Sequence, residues 1–131
     1  MGKIKKHLAY VTVVVKEYDE AIAFYTEKLG FELTENTELE HGKRWVVVTP
    51  PGSECSLVLG KAANDMQRST IGNQAGGRVF LFLHTEDFWS DYDAMQTKGI
   101  LFKEEPREEV YGTVVVFEDL YGNLWDLLQL K

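Results

Sequence analysis

The residue types able to do acid–base, nucleophilic or metal chemistry are few and scattered in this chain. Its three histidines are His7, His41 and His84. Their spacing matches no His-x-x-His or His-Glu-x-x-His device, in which two imidazoles share one helix face. Cys55 is the only cysteine, which excludes an internal disulfide and a thiolate zinc cage. Nothing fixes a nucleophile beside a base, so no Ser-His-Asp or Cys-His arrangement can be assembled. The densest charge is Glu104-Glu105-Pro106-Arg107-Glu108-Glu109. It reads as a solvated loop or edge strand, with Glu104, Glu105 or Arg107 able to overhang a neighbouring site.

The elements that must position any such group come in two similar sets, about 68 residues apart. An apolar strand, Ala9 to Val15, precedes a helical stretch, Tyr18 to Leu29, closed by Gly30. Strand-like runs follow at Phe31–Glu35, Trp45–Thr49 and Cys55–Leu59. The second set has a strand at Val79–Leu83, a helix at Glu86–Lys98 closed by Gly99, and strands at Ile100–Lys103, Thr113–Glu118 and Leu124–Leu128. The β-branched run from Val11 to Val15 predicts a strand buried on both faces. Tyr18, Ile22, Tyr25 and Leu29 recur at helical spacing, with Ala21 and Phe24 widening the stripe. In the second helix Thr85 is the expected N-cap, and Phe88, Tyr92 and Met95 form the core stripe, with Trp89 beside it. Each set reads β-α-β-β-β. The fold class is therefore α+β: two tandem βαβββ modules forming a cupped mixed sheet, with helices on its outer face.

One domain, residues 8–130, is expected, with a first module at about 8–60, a connector at 61–77 and a second module at about 78–130. The connector is polar. Ala62 to Arg68 has room for one or two helical turns, and Gly76-Gly77 reads as a hinge. It could equally serve as a lid over the cup. The cluster Asp119 to Asn123 predicts a tight turn, with Gly or Asn at positive φ. No apolar stretch approaches the ~20 residues that span a bilayer. The basic lead-in, Met1 to Lys6, lacks the apolar core of a secretion signal. A cytoplasmic protein without a membrane partner is the expectation. The net charge of −7 argues against nucleic acid, whose phosphates need a basic face.

Two phrases carry a family resemblance. One is Ala21-Ile22-Ala23-Phe24-Tyr25 followed by Leu29-Gly30-Phe31. The other runs from Gly112-Thr113 through Phe117-Glu118-Asp119 to Tyr121-Gly122-Asn123-Leu124-Trp125-Asp126-Leu127. Together with the repeat they resemble the vicinal oxygen chelate superfamily, which includes glyoxalase I, bleomycin-resistance proteins and extradiol dioxygenases. The resemblance covers about Leu8 to Gln129. It implies paired modules, usually in a homodimer, around a ligand cavity. It does not imply one activity, because that fold hosts metal enzymes and metal-free binders alike.

Metal-dependent members resembling glyoxalase I place ligands on the first and last strand of each module. Carried onto this chain, those positions are Tyr10 and Val58, then Arg78 and Asp126. The interval from Tyr10 to Arg78 equals that from Val58 to Asp126, 68 residues each. Only Asp126 offers a donor that a divalent ion favours. Val58 has no ligand atom, neutral Tyr10 is a poor one, and Arg78 brings a permanent positive charge. No metal or other cofactor is therefore expected. A shifted site using His7 or His84 with Asp126 or Glu118 is the alternative.

Strand alternation extends the candidate ligand-binding set. Thr12 shares a face with Tyr10, Ser56 with Val58, and Phe80, Phe82 and His84 with Arg78. An Arg78–Asp126 ion pair is one expectation. The other is that Asp126 points elsewhere and Arg78 is left to bind a ligand carboxylate or phosphate. The resulting cavity is aromatic and apolar with a few polar groups, as small-organic-ligand sites are. Alternatively, Phe80 and Phe82 simply fill it. Three functions stay open: a metal-free small-molecule binder of the bleomycin-resistance type; a lyase, isomerase or dioxygenase with an atypical metal site; and a dimeric scaffold.

Overall fold

The first strand, β1 (Tyr10–Val15), is half covered rather than buried on both faces. In a computed structural model describing residues 5–131, Val13 and Val15 are fully buried while Tyr10 and Thr12 are exposed. The reason is position: β1 lies at one end of its sheet and turns only its odd-numbered face to the core. The part of the basic lead-in at positions 1–4 lies outside the described residues.

The helix after β1 changes pitch partway. Helix α1 (Tyr18–Ala23) continues as one wide turn of i→i+5 type over Phe24–Lys28. Leu29 N–H donates to the Phe24 carbonyl at 3.3 Å and Thr26 Oγ1 to the Ile22 carbonyl at 2.8 Å. The extra residue in that turn rotates the buried stripe. Tyr18, Ala21, Phe24 and Tyr25 are covered, whereas Ile22 and Leu29, expected in the core, are half-exposed. Gly30 ends the element with φ at +74°, as its type predicts.

Three more strands complete the first unit: β2 (Glu32–Glu38), β3 (Arg44–Thr49) and β4 (Ser56–Lys61). They form a mixed sheet in the order β1-β4-β3-β2, with β1 and β4 parallel. Val46, Val47, Val48, Leu57 and Leu59 are its buried residues. Strand β2 runs longer than the sequence suggested, is exposed along its whole length and lies at the outer edge of this sheet.

The chain divides into compact units between Ala63 and Asn64. In the second unit a short helix, α2 (Asp65–Arg68), leads through a glycine-rich loop to β5 (Val79–His84). Helix α3 (Phe88–Thr97) is capped by Asp87, whose Oδ1 accepts from Ser90 N–H at 3.2 Å. Thr85, the expected cap, instead accepts from Asp87 N–H at 3.0 Å and braces the capping residue. Phe88, Tyr92 and Met95 are buried as the spacing predicts, and Trp89 stays half out. Strands β6 (Leu101–Phe102), β7 (Arg107–Glu109), β8 (Gly112–Glu118) and β9 (Leu124–Leu130) follow. The sheet order is β5-β9-β8-β6, with β7 also on β8 and the β5–β9 pair parallel. The two units thus repeat one topology, and the chain is α+β. The acidic run after Lys103 contributes β7 as an edge strand. No helix of the described residues is long and apolar enough to cross a membrane.

Candidate functional site

Each unit has a helix-covered sheet face and an opposite face, and the candidate residues lie mainly on the latter. In the first unit the strand register sets Tyr10 beside Ser56 and Thr12 beside Val58. Tyr10 is 48% exposed, and its ring meets Trp45 edge-on at 5.5 Å. Its hydroxyl reaches Glu35 Oε2 at 3.5 Å. Ser56 and Thr49 share a hydrogen bond of 2.7 Å, and Thr49 meets Thr34 at 3.0 Å. The four residues the sequence selected here therefore gather on one face, which is a hydroxyl row with an aromatic pair across it.

The second unit departs from the expected alternation. Val79 is registered to Leu124, but Leu81 is registered to Trp125, so β5 carries one extra residue, Phe80, in a bulge. Beyond the bulge Phe82 pairs with Asp126 and His84 with Leu128. Arg78 itself precedes β5, and the bulge lies between it and the pairing of Phe82 with Asp126. Among the described residues Arg78 forms no ion pair with Asp126 or with any other acid. That expected clasp is absent, and a bulge interrupts the strand between the two residues' positions. Phe82 is 62% exposed.

Asp126 has a different cation for company. Arg107 binds both oxygens of Glu104 through Nε at 3.0 Å, and Glu109 through Nη1 at 2.5 Å. Those contacts, Glu104 first, hold its guanidinium protonated more firmly than usual. Burial pushes the Asp126 carboxyl above its ordinary range; the positive charge of Arg107 pulls it back and Glu104 pushes it further up. The Oδ1 atom of Asp126 is buried without a hydrogen-bond partner. Such an oxygen either carries a proton or waits for a donor. Arg107 and Glu104 thus act on the charge of Asp126; the sequence alone places them in a solvated loop or edge strand, able to overhang a neighbouring site. The available signal was a lone arginine among four glutamates, followed by residues able to pair as a strand.

One further concavity lies in the second unit. A cleft of about 240 Å³ is bounded by the loop at 72–77, Arg78, Phe80, Lys103 and Leu124. The loop is pinned by a buried hub. Asp119 accepts from the backbone N–H groups of Tyr121 and Asn123, from Asn123 Nδ2, and from Trp125 Nε1, at 3.0 to 3.2 Å. Asn123 Oδ1 in turn accepts from Gln74 N–H at 3.0 Å.

At the four positions carried over from the resemblance, donors that a divalent ion favours are few. Tyr10 and Val58 supply no carboxylate or imidazole on the first unit's face. On the second, Asp126 stands beside a guanidinium. Among the described residues no three His, Cys, Asp or Glu side chains stand where they could hold one metal ion.

Comparison with known proteins adds to the geometry. The sequence pattern described as "Glyoxalase/Bleomycin resistance protein/Dioxygenase superfamily" matches residues 7–127. A protein of Shewanella frigidimarina (strain NCIMB 400), carrying only the description "Uncharacterized protein", is 60% identical over 130 residues, spanning 98% of this chain and 96% of its own. Among solved structures, UcmS2 is similar at a TM-score of 0.82 and 31% identity, covering 95% of this chain and 98% of its own. TnmS3, "an antibiotic binding protein from Streptomyces sp. CB03234", is similar at a TM-score of 0.79 and 29% identity, covering 98% and 99%.

Proposed function

The chain belongs to the Glyoxalase/Bleomycin resistance protein/Dioxygenase superfamily, and from that premise we propose that it binds a small organic molecule through side-chain contacts rather than through a metal ion. The observation that carries this reading is the donor set. Of the four positions at which metal-dependent members resembling glyoxalase I hold their ion, Asp126 alone has a suitable oxygen, and Arg107 lies close enough to bias its charge. Each unit by itself keeps groups that suit an organic ligand: in the first, an exposed ring at Tyr10 with hydroxyls at Thr12 and Ser56; in the second, an exposed ring at Phe82 and the unpartnered Asp126 oxygen. The likeness to TnmS3, an antibiotic binding protein, supports the same class of activity for this chain. Sequestration or sensing follows from binding without chemistry. We place the protein in the cytoplasm as a homodimer on the strength of the family and the lack of any disulfide.

The test is a thermal-shift screen of the full chain against planar aromatic compounds, with and without chelator, beside metal analysis of the purified protein. A binder is stabilised by mass action whether or not a chelator is present. Stoichiometric nickel, zinc, manganese or iron, or stabilisation abolished by chelator, would replace this reading with a metal-dependent lyase, isomerase or dioxygenase. A screen without any stabilising compound would leave the scaffold reading.

A further inference from the structure

The chain has four arginines, and among the described residues three of them are spoken for. Arg44 pairs with Asp19, Arg68 with Asp65, and Arg107 with Glu104 and Glu109. Arg78 is exposed and forms no ion pair. In a protein of net charge −7, rich in carboxylates, one unmatched guanidinium on a cleft wall is an informative exception.

Its surroundings are built rather than incidental. The loop before it turns through positive φ at Gly72 (+76°), Gly76 (+65°) and Gly77 (+96°). Gly72 lies so close to the next turn that an added Cβ would stand 1.9 Å from the Tyr121 carbonyl oxygen. The loop is thereby fixed against the Asp119–Asn123 hub, which sets where Arg78 leaves it. Phe80 and Leu124 give the cleft apolar wall, and Lys103 also lines it. Lys103 is already held by Glu118 at 2.6 Å, so the unmatched positive charge comes from Arg78 alone.

We infer that this cleft seats an oxyanion at one end of a small organic ligand, a carboxylate in the first instance, with Arg78 as its charge partner and Phe80 and Leu124 against the attached carbon skeleton. The guanidinium fork matches a carboxylate with two parallel hydrogen bonds, an arrangement stronger and more directional than a neutral contact. Size narrows the class. About 240 Å³ falls below the roughly 300–1,000 Å³ of sites that enclose a drug-sized molecule. The cleft therefore takes a fragment such as an aryl carboxylate, and the rest of any larger ligand lies outside it. The inference rests on the small-molecule reading above and adds the charge class of the ligand.

The test is an amide-resolved NMR titration of the full chain with sodium benzoate, with benzamide as its uncharged counterpart, and with inorganic phosphate. Native protein is compared with Arg78→Gln, a change at an exposed side chain. Benzoate is expected to shift the amides of Gln74 to Arg78 saturably, with benzamide roughly tenfold weaker or more. R78Q should bring benzoate down to the benzamide level with melting temperature unchanged. Competition by phosphate at equal strength would support the oxyanion seat and identify an inorganic source. Equal binding of benzoate and benzamide, or benzoate affinity unaffected by R78Q, would overturn it. The two readings fail separately. Neutral aromatic compounds that still stabilise R78Q, beside benzoate indifferent to Arg78, remove the oxyanion seat and leave the binding reading standing. A library without stabilising compounds removes the binding reading first.

Discussion

Asp126 and Arg107 flank β8 from opposite sides: β9 sets Asp126 beside Val116, and β7 sets Arg107 beside Val114, two residues along the same strand. Burial raises the Asp126 carboxyl first, and the Arg107 charge pulls it back. Arg107 is shared with Glu104 and Glu109, so it only partly offsets the desolvation of Asp126.

Asp126→Asn tests that balance. The folded protein holds the Asp126 proton more tightly than an unfolded chain, whose value is the ordinary 3.8. The stability this group contributes is complete below that value and is lost as pH rises through the raised one. Removing the charge should therefore leave stability unchanged at the acid end and raise it near neutrality. The gain is held to about 1 kcal/mol or less by partial exposure and screening. Chemical denaturation of both proteins between about pH 4 and about pH 8 checks it. A variant less stable than the native protein at pH 7 would contradict the assignment.

Asp119→Asn should be far more damaging. The buried carboxylate accepts from four N–H groups, and an amide would turn its own NH₂ toward two of them. A loss of about 3 kcal/mol or more is expected from stranded buried donors. Urea unfolding followed by tryptophan fluorescence reads it, since Trp125 Nε1 is one of the donors.

Gly72→Ala and Gly42→Ala make a matched pair. Both sites have φ near +75°, but only Gly72 faces a backbone oxygen at 1.9 Å; Gly42 has open space. Ala at Gly42 should cost about 1–2 kcal/mol from the left-handed backbone alone. Ala at Gly72 should cost clearly more and abolish the benzoate shifts at Arg78. Equal melting temperatures for the two variants would refute the close contact.

Phe82→Ala separates folding from binding. The ring is 62% exposed, so its loss should change stability by less than about 1 kcal/mol. Affinity for aromatic ligands found in the thermal-shift screen should fall roughly tenfold, the worth of a ring contact of this kind. Calorimetric titration of the variant checks it. Unchanged affinity would place the ligand elsewhere.

Much of the architecture was legible because punctuation and period agreed. Gly30 and Gly99 end their helices at positive φ, and Phe88, Tyr92 and Met95 are buried at the spacing that selects one helix face. Alternation also sets Tyr10, Thr12, Ser56 and Val58 on one face, since no irregularity interrupts the β1–β4 register. It failed at Arg78, because a bulge leaves no mark in a run of apolar residues such as Val79 to Leu83. The wide turn at Phe24–Lys28 was equally silent, shifting the buried stripe without altering composition. Arg107 was named only as able to overhang a site, without its partners, for another reason. Its role depends on β7 pairing with β8, a contact between residues that local pattern reads only as charge.

Strand β2 has a consequence for the protein's behaviour at high concentration. Glu32, Glu35 and Glu38 punctuate this exposed outer strand. An outermost strand normally invites a neighbouring molecule to extend the sheet, and repeated like charges oppose that approach. High ionic strength would screen that repulsion. Loss of monodispersity in concentrated salt can thus begin at β2 by strand addition while both cores remain folded.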